Sequence, residues 1–105
     1  MDLGKLEAAL SAFSVLEPTA LPLHHVQVFL VVAQREPILY DDIEKILGLS
    51  NASVSRTVNA LSDVHRTGRE GLRLLKVEKD PEERRRYLCS LSSRGRALLR
   101  QIKSL

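Results

Sequence analysis

Apolar side chains recur along this chain with two periods, and the breaks between them lay out the elements. Leu3, Leu6, Leu10 and Phe13 are spaced by three, four and three, which is one stripe of an amphipathic helix. Gly4 weakens its first turn. Glu17-Pro18-Thr19-Ala20-Leu21-Pro22 interrupts the pattern, and Pro22 suits the first turn of a second helix, where no backbone N–H is needed. That helix runs through Val26, Phe29, Leu30 and Ala33. Its β-branched run (Val26, Val28, Val31, Val32) also fits a strand; length and the Pro22 start decide for the helix, which Pro37 stops. Ile38-Leu39 then passes into Tyr40-Asp41-Asp42, whose acidic pair suits a helix N-terminus because the macrodipole favours negative charge there. Ile43, Ile46 and Leu47 give a short helix over 41–47 its buried face, and Gly48 is a natural C-terminal stop.

Ser50 is a good cap for the next helix, 51–63, whose apolar face is Val54, Val58 and Leu61. Ser53 stands where a complete capping box would place Glu or Gln. The polar stretch 63–71, with two glycines, reads as a loop. Residues 72–77 read as a strand, 79–83 as a turn opened by Asp80-Pro81, and 86–91 as the return strand. Ser92 caps a last helix with Leu98, Leu99, Ile102 and Leu105 on its apolar side and Arg96, Arg100 and Lys103 mostly on the other. The predicted fold is mainly α with a small β-hairpin, an α+β winged helix-turn-helix. One domain is expected over 1–105: an N-terminal helix in 1–16, the winged core in 21–91 and a C-terminal helix in 92–105.

The central pair of helices carries the chemistry. Helix 41–47, a tight turn at Gly48-Leu49-Ser50 and the helix after it match a helix-turn-helix, and Gly48 supplies the positive φ such a turn needs. Outward on the second helix stand Asn51, Ala52, Ser53, Ser55, Arg56 and Asn59, all small or hydrogen-bonding, with no acidic group in 51–62. Such a surface can enter a major groove about 12 Å wide, where Arg56 suits guanine O6 and N7 and Asn59 suits adenine N6 and N7. Ser53, Ser55 and Thr57 suit phosphates or base edges. The alternative is a plain surface helix rich in Ser and Asn. Arg84, Arg85 and Arg86 sit just past the hairpin turn, so the hairpin reads as a wing over 79–86 whose arginines suit a narrow minor groove. Glu82 and Glu83 offset part of that charge unless one of them pairs with an arginine.

Charge sharpens this picture. The net charge of +3 hides an asymmetry: residues 1–50 carry 3 basic and 7 acidic side chains, and residues 51–105 carry 13 and 6. A basic second half suits a polyanion. A chain of 105 residues, 44% hydrophobic and 28% charged, is globular rather than disordered. No apolar run approaches the roughly 20 residues of a membrane span. The N-terminus lacks the basic start and apolar block of a secretory signal, and the lone Cys89 cannot form an internal disulfide, so the cytoplasm is the expected location. His24 and His25 are adjacent and diverge on a helix, and His65 lies in the loop. Cys89 reads as strand packing rather than a nucleophile. No spacing suggests zinc and no glycine run suggests a phosphate loop, so neither an enzyme nor a cofactor is expected.

Three stretches resemble the multiple-antibiotic-resistance regulator (MarR) family of winged-helix repressors. Leu21 to Leu30 looks like the segment opening the helix before the family's helix-turn-helix. Asp42 to Arg56 resembles its E-L-A-x-x-L-G-L-S-x-S-T-V-T-R stretch. Asp80-Pro81-Glu82-Glu83-Arg84-Arg85 followed by Leu88 to Gly95 resembles D-P-x-D-x-R … L-T-x-x-G. The resemblance implies that 51–62 is the recognition helix, that Glu83 and Arg85 pair in the wing, and that Arg84 or Arg86 reaches the DNA backbone or minor groove. The loop 64–71 is longer than the family's short link and adds His65, Arg66 and Arg69, suited to phosphates or to solvent. Family members continue into a further long helix that builds the dimer interface, with effector pockets near that junction. A small-molecule effector pocket of the family's kind is therefore not expected here, and dimerisation is expected to be arranged differently or to be weaker.

The function expected from these features is sequence-specific binding of double-stranded DNA by a homodimeric transcriptional regulator, a repressor by the resemblance. Leu3, Leu6, Leu10 and Phe13 on the first helix, with Leu98, Ile102 and Leu105 on the last, are the candidate dimer seam, the alternative being packing within their own chain. The competing reading of the whole molecule is a winged-helix adaptor that binds another protein and not DNA specifically.

Overall fold

The computed structural model of this chain describes residues 1–17, 20–62 and 71–105. Five helices lie among them: α1 (Leu3–Ser14), α2 (Leu23–Arg35), α3 (Tyr40–Leu47), α4 (Asn51–Leu61) and α5 (Ser93–Lys103). Three short strands, β1 (Ile38–Leu39), β2 (Leu75–Lys79) and β3 (Tyr87–Leu91), make one antiparallel sheet in the order β1-β3-β2. The fold is thus the predicted α+β winged helix-turn-helix.

Local chemistry sets the ends of the helices. The Asp2 carboxylate accepts from the Lys5 N–H and caps α1, which offsets the weakness of Gly4. Ser50 Oγ accepts from the Ser53 N–H at α4, and Ser92 Oγ accepts from the Gly95 N–H at α5. Pro22 stands one residue before α2, at its cap position, and the helix runs to Arg35, just short of Pro37. Gly48 closes α3 in the left-handed conformation at φ 66°, where its N–H and that of Leu49 both reach the Glu44 carbonyl.

Val28, Phe29, Val32, Ile43, Val54, Val58, Leu61, Leu74, Leu75, Cys89 and Leu91 are buried together. Each fully buried aliphatic or aromatic side chain contributes about 1.5–3 kcal/mol against the chain entropy lost on folding. The Phe13 ring meets the Phe29 ring edge-on, with centroids 5.3 Å apart, which brings α1 onto α2. Leu98 brings α5 onto the same core. Gly95 lets that helix approach closely, because a methyl there would overlap the Leu74 carbonyl oxygen.

Two expectations about the sheet need correction. The first hairpin strand lies at Leu75–Lys79 rather than at 72–77. The N–H groups of Leu72, Arg73 and Leu74 instead bond back to the carbonyls of Ala60, Ser62 and Leu61 at the end of α4. Arg73, at φ 60°, turns the chain between that anchor and the strand. The second correction is an addition. Ile38-Leu39 is a strand, pairing Ile38 with Cys89 and Leu39 with Leu88, so β3 is a central strand and Cys89 faces the core. Among the described residues no helix is long and apolar enough to cross a membrane.

Candidate nucleic-acid interface

The register of the helix-turn-helix follows from its buried positions. Val54, Val58 and Leu61 turn inward from α4, and Ile43 turns inward from α3. That leaves Asn51, Ala52 and Arg56 exposed and Ser53, Ser55 and Asn59 half-buried. Thr57 departs from expectation. It is 1% exposed, so it cannot meet a phosphate or base edge without unfolding the helix pair. Positions 54, 57, 58 and 61 are one complete helical stripe, and Thr57 fills its apolar set with a β-branched side chain.

Hydrogen bonds run along the exposed surface. Ser50 Oγ donates to Ser53 Oγ at 3.1 Å, and Ser53 Oγ accepts from Arg56 Nη2 at 3.4 Å. The Arg56 guanidinium thus lies back along the helix, over Ser53. Asn51 Nδ2 donates to Glu44 Oε2 at 3.1 Å, across the turn that separates α3 from α4. Sequence reasoning gave Glu44 no part in the site. Its signal is the distance of seven residues, which a helix-turn-helix folds back on itself.

The wing is built by its own turn. Asp80 Oδ1 accepts from the Glu82 N–H, and the Asp80 N–H donates to the Arg86 carbonyl, which closes the loop between β2 and β3. Glu83 Oε1 lies 3.5 Å from Arg85 Nε and also accepts from the Arg85 N–H. This is the acid–arginine pair that the resemblance implied. Arg84, Arg85 and Arg86 are all exposed, and Arg84 and Arg86 make no ion pair among the described residues.

Two adjoining grooves place the wing and α4 on one side of the molecule. One, of about 130 Å³, is lined by Asp41, Asn51, Arg85, Arg86 and Tyr87 among others. The other, of about 480 Å³, is lined by Ser55, Asn59, Lys76 and both tyrosines. Tyr40 and Tyr87 lie between them, with ring centroids 5.6 Å apart. Burial, helped by the nearby Cys89 and Tyr87 groups, pushes the Tyr40 hydroxyl well above the usual phenol range, so it stays a neutral donor. Burial also pushes the Cys89 thiol up to about 12, and this side chain is part of the core rather than of any groove.

The candidate seam divides. Phe13 and Leu98 are buried in the core of their own chain, so they are not available to a second copy. Ile102 is half-buried, while Leu3, Leu6, Leu10 and Leu105 are exposed, Leu3 at 76%. Leu3, Leu6 and Leu10 line a shallow groove along α1 with Glu7, Ser11 and Ser14. His65, Arg66 and Arg69 lie outside the described residues. Among the described residues no cluster of His, Cys, Asp or Glu could hold a metal.

No family model and no curated protein matches this sequence. Solved structures do match. A crystal structure of MarR is 22% identical with a TM-score of 0.66, and the alignment covers 96% of this chain and 72% of that one. MepR of S. aureus, solved as a complex with DNA, is 18% identical with a TM-score of 0.69, covering 96% and 72%. The transcriptional repressor CouR, bound to a 23-mer DNA duplex, is 22% identical with a TM-score of 0.66, covering 97% and 64%. The chain therefore has the fold of these MarR-like regulators and spans about two thirds of their length.

Proposed function

We propose that this chain, a single winged-helix unit over 1–105, binds double-stranded DNA sequence-specifically as a homodimer and represses transcription. Residues 51–62 are the recognition helix in the major groove, with Arg56 and Asn59 reading base edges. The wing, 79–86, lies at the minor groove, with Arg84 and Arg86 free to meet phosphates while Glu83 fixes the direction of Arg85. The observation that carries this reading is a shared opening. Asn51 at the start of α4 and Arg85 and Arg86 of the wing line one groove. A duplex touching one would touch the other. That structures of the same fold include DNA complexes supports the same reading.

A second copy of the chain is the natural cover for Leu3, Leu6, Leu10 and Leu105, three exposed leucines on α1 and one just past α5. A two-fold dimer sets its recognition helices about 34 Å apart and favours a palindromic site.

Salt tests the reading. With six phosphate contacts, affinity for duplex DNA falls about 10³-fold or more between roughly 50 and 200 mM salt. A flat response, or no binding at low salt, rejects DNA as the partner and favours the adaptor.

A further inference from the structure

Resting on that reading and going beyond it, we propose that Glu44 is a positioning residue for Asn51. It turns the Asn51 amide so that the leading corner of α4 presents a hydrogen-bond acceptor, which selects a base carrying an amino group in the major groove. Asn51 is the first residue of α4, next to the cap Ser50, and it is exposed. Glu44 is half-buried near the end of α3, and its backbone is pinned there by the N–H groups of Gly48 and Leu49. Its Oε2 accepts from Asn51 Nδ2 at 3.1 Å.

The orientation of the amide follows from what each group can do. A carboxylate only accepts, whereas an Asn side chain has a donating end and an accepting end. The opposite flip would set the Asn51 carbonyl oxygen against the Glu44 oxygen, two acceptors with no proton between them. One N–H of the amino end therefore faces Glu44, and Oδ1, with the second N–H beside it, is left for a partner. In the major groove adenine and cytosine offer amino donors at N6 and N4, while guanine O6 and N7 and thymine O4 only accept. The corner at Asn51 thus favours adenine or cytosine, whose amino groups can donate to Oδ1, over guanine or thymine. Arg56 lies on the same helix, over Ser53, and offers only donors. The Asn51 end of the reading surface adds an acceptor that Arg56 lacks, and Glu44 sets its direction.

The test is selection of bound duplexes from a random pool with the wild-type chain, Glu44→Gln, Asn51→Ala and the double variant. Gln has the size of Glu, but its own amide can donate to Asn51 Oδ1, so both flips of Asn51 become possible. The wild type is expected to enrich adenine or cytosine over guanine or thymine at one position of the site by about tenfold or more. Glu44→Gln should cut that preference to about twofold there and nowhere else, while raising affinity for unselected duplex because a negative charge leaves a phosphate-facing surface. Asn51→Ala should abolish the preference, and adding Glu44→Gln to it should change no base preference. A loss of specific and unselected binding together, with an unchanged consensus, would mark Glu44 as merely structural and overturn the inference. A wild-type consensus that Glu44→Gln reproduces would overturn it alone. A wild type that enriches no sequence overturns the reading of the preceding subsection and this inference with it.

Discussion

Under the proposed function, Arg56 is the side chain on which base reading would depend most. It is exposed, it projects from an acid-free helix, and its guanidinium lies back along that helix over Ser53. Arg56→Ala is expected to weaken binding to a preferred duplex by about 1–3 kcal/mol and to relax preference at one base pair, measured by titration against matched and mismatched duplexes. Thr57, three residues into the same stripe as Val54, has its Oγ1 buried with no hydrogen-bond partner among the described residues. An unpaired buried hydroxyl costs about 1–3 kcal/mol, so Thr57→Val, which keeps the shape, should raise the denaturation midpoint by a comparable gain in stability. The spacing of Thr57 puts it on the buried stripe, but its hydroxyl gives it no apolar signal in the sequence. Burial sets the direction in which Cys89 titrates. In the fold its pKa rises from 9.0 to about 12, so the neutral thiol is favoured by the native state. Its stabilising contribution is complete below the unfolded value and is lost as pH climbs from about 9 towards 12. Chemical denaturation should show stability falling on the order of 1 kcal/mol per pH unit across that window, and falling less steeply in Cys89→Ala.

At the scale of elements, the helices are legible because each carries a stripe with a start or stop signal: Gly48 ending α3 and Ser50 starting α4, Ser92 before α5, Pro37 after α2. The strands were harder to read. β1 is two residues long, too short for any alternation to register, and exists only because β3 pairs with it. The start of β2 was misread because Leu72 and Leu74 look like strand residues while their N–H groups bond to the end of α4. A link that no pattern announces joins the end of α2 to α5. Glu36 Oε1 accepts from Arg96 Nη2 at 2.8 Å and from the Leu91 N–H at 3.0 Å, and Glu36 Oε2 accepts from Arg96 Nη1. The partners are sixty residues apart. The Glu36 side chain is mostly covered, at 18% exposure, so Arg96→Ala should destabilise the fold by about 1–3 kcal/mol in a thermal or urea melt, more than an exposed pair would. Gly95→Ala should cost more again, since the added methyl meets backbone at Leu74 rather than a yielding side chain.

For the whole molecule, the basic second half is divided: Arg84, Arg85 and Arg86 lie on the wing beside α4, and Arg94, Arg96, Arg100 and Lys103 lie in α5. The wing and the start of α4 line one groove with Asp41, while Leu3, Leu6 and Leu10 are exposed on α1 and Leu105 just past α5. The sequence could name the leucines but not divide them, because helical spacing does not say whether Phe13 meets Phe29 or another chain. With the reading surface on one side and the candidate seam on α1 and α5, sedimentation of the free protein should find a dimer, and Leu6→Glu with Leu10→Glu should shift it towards monomer without unfolding it. The most direct test of the central claim is methylation interference at guanine N7, an atom that lies in the major groove. On a duplex the chain prefers, N7 methylation should block binding at guanines in two clusters about one helical turn apart, and Arg56→Ala should lose the sensitivity. Binding that is indifferent to every N7 methyl group would contradict insertion of α4 into the major groove.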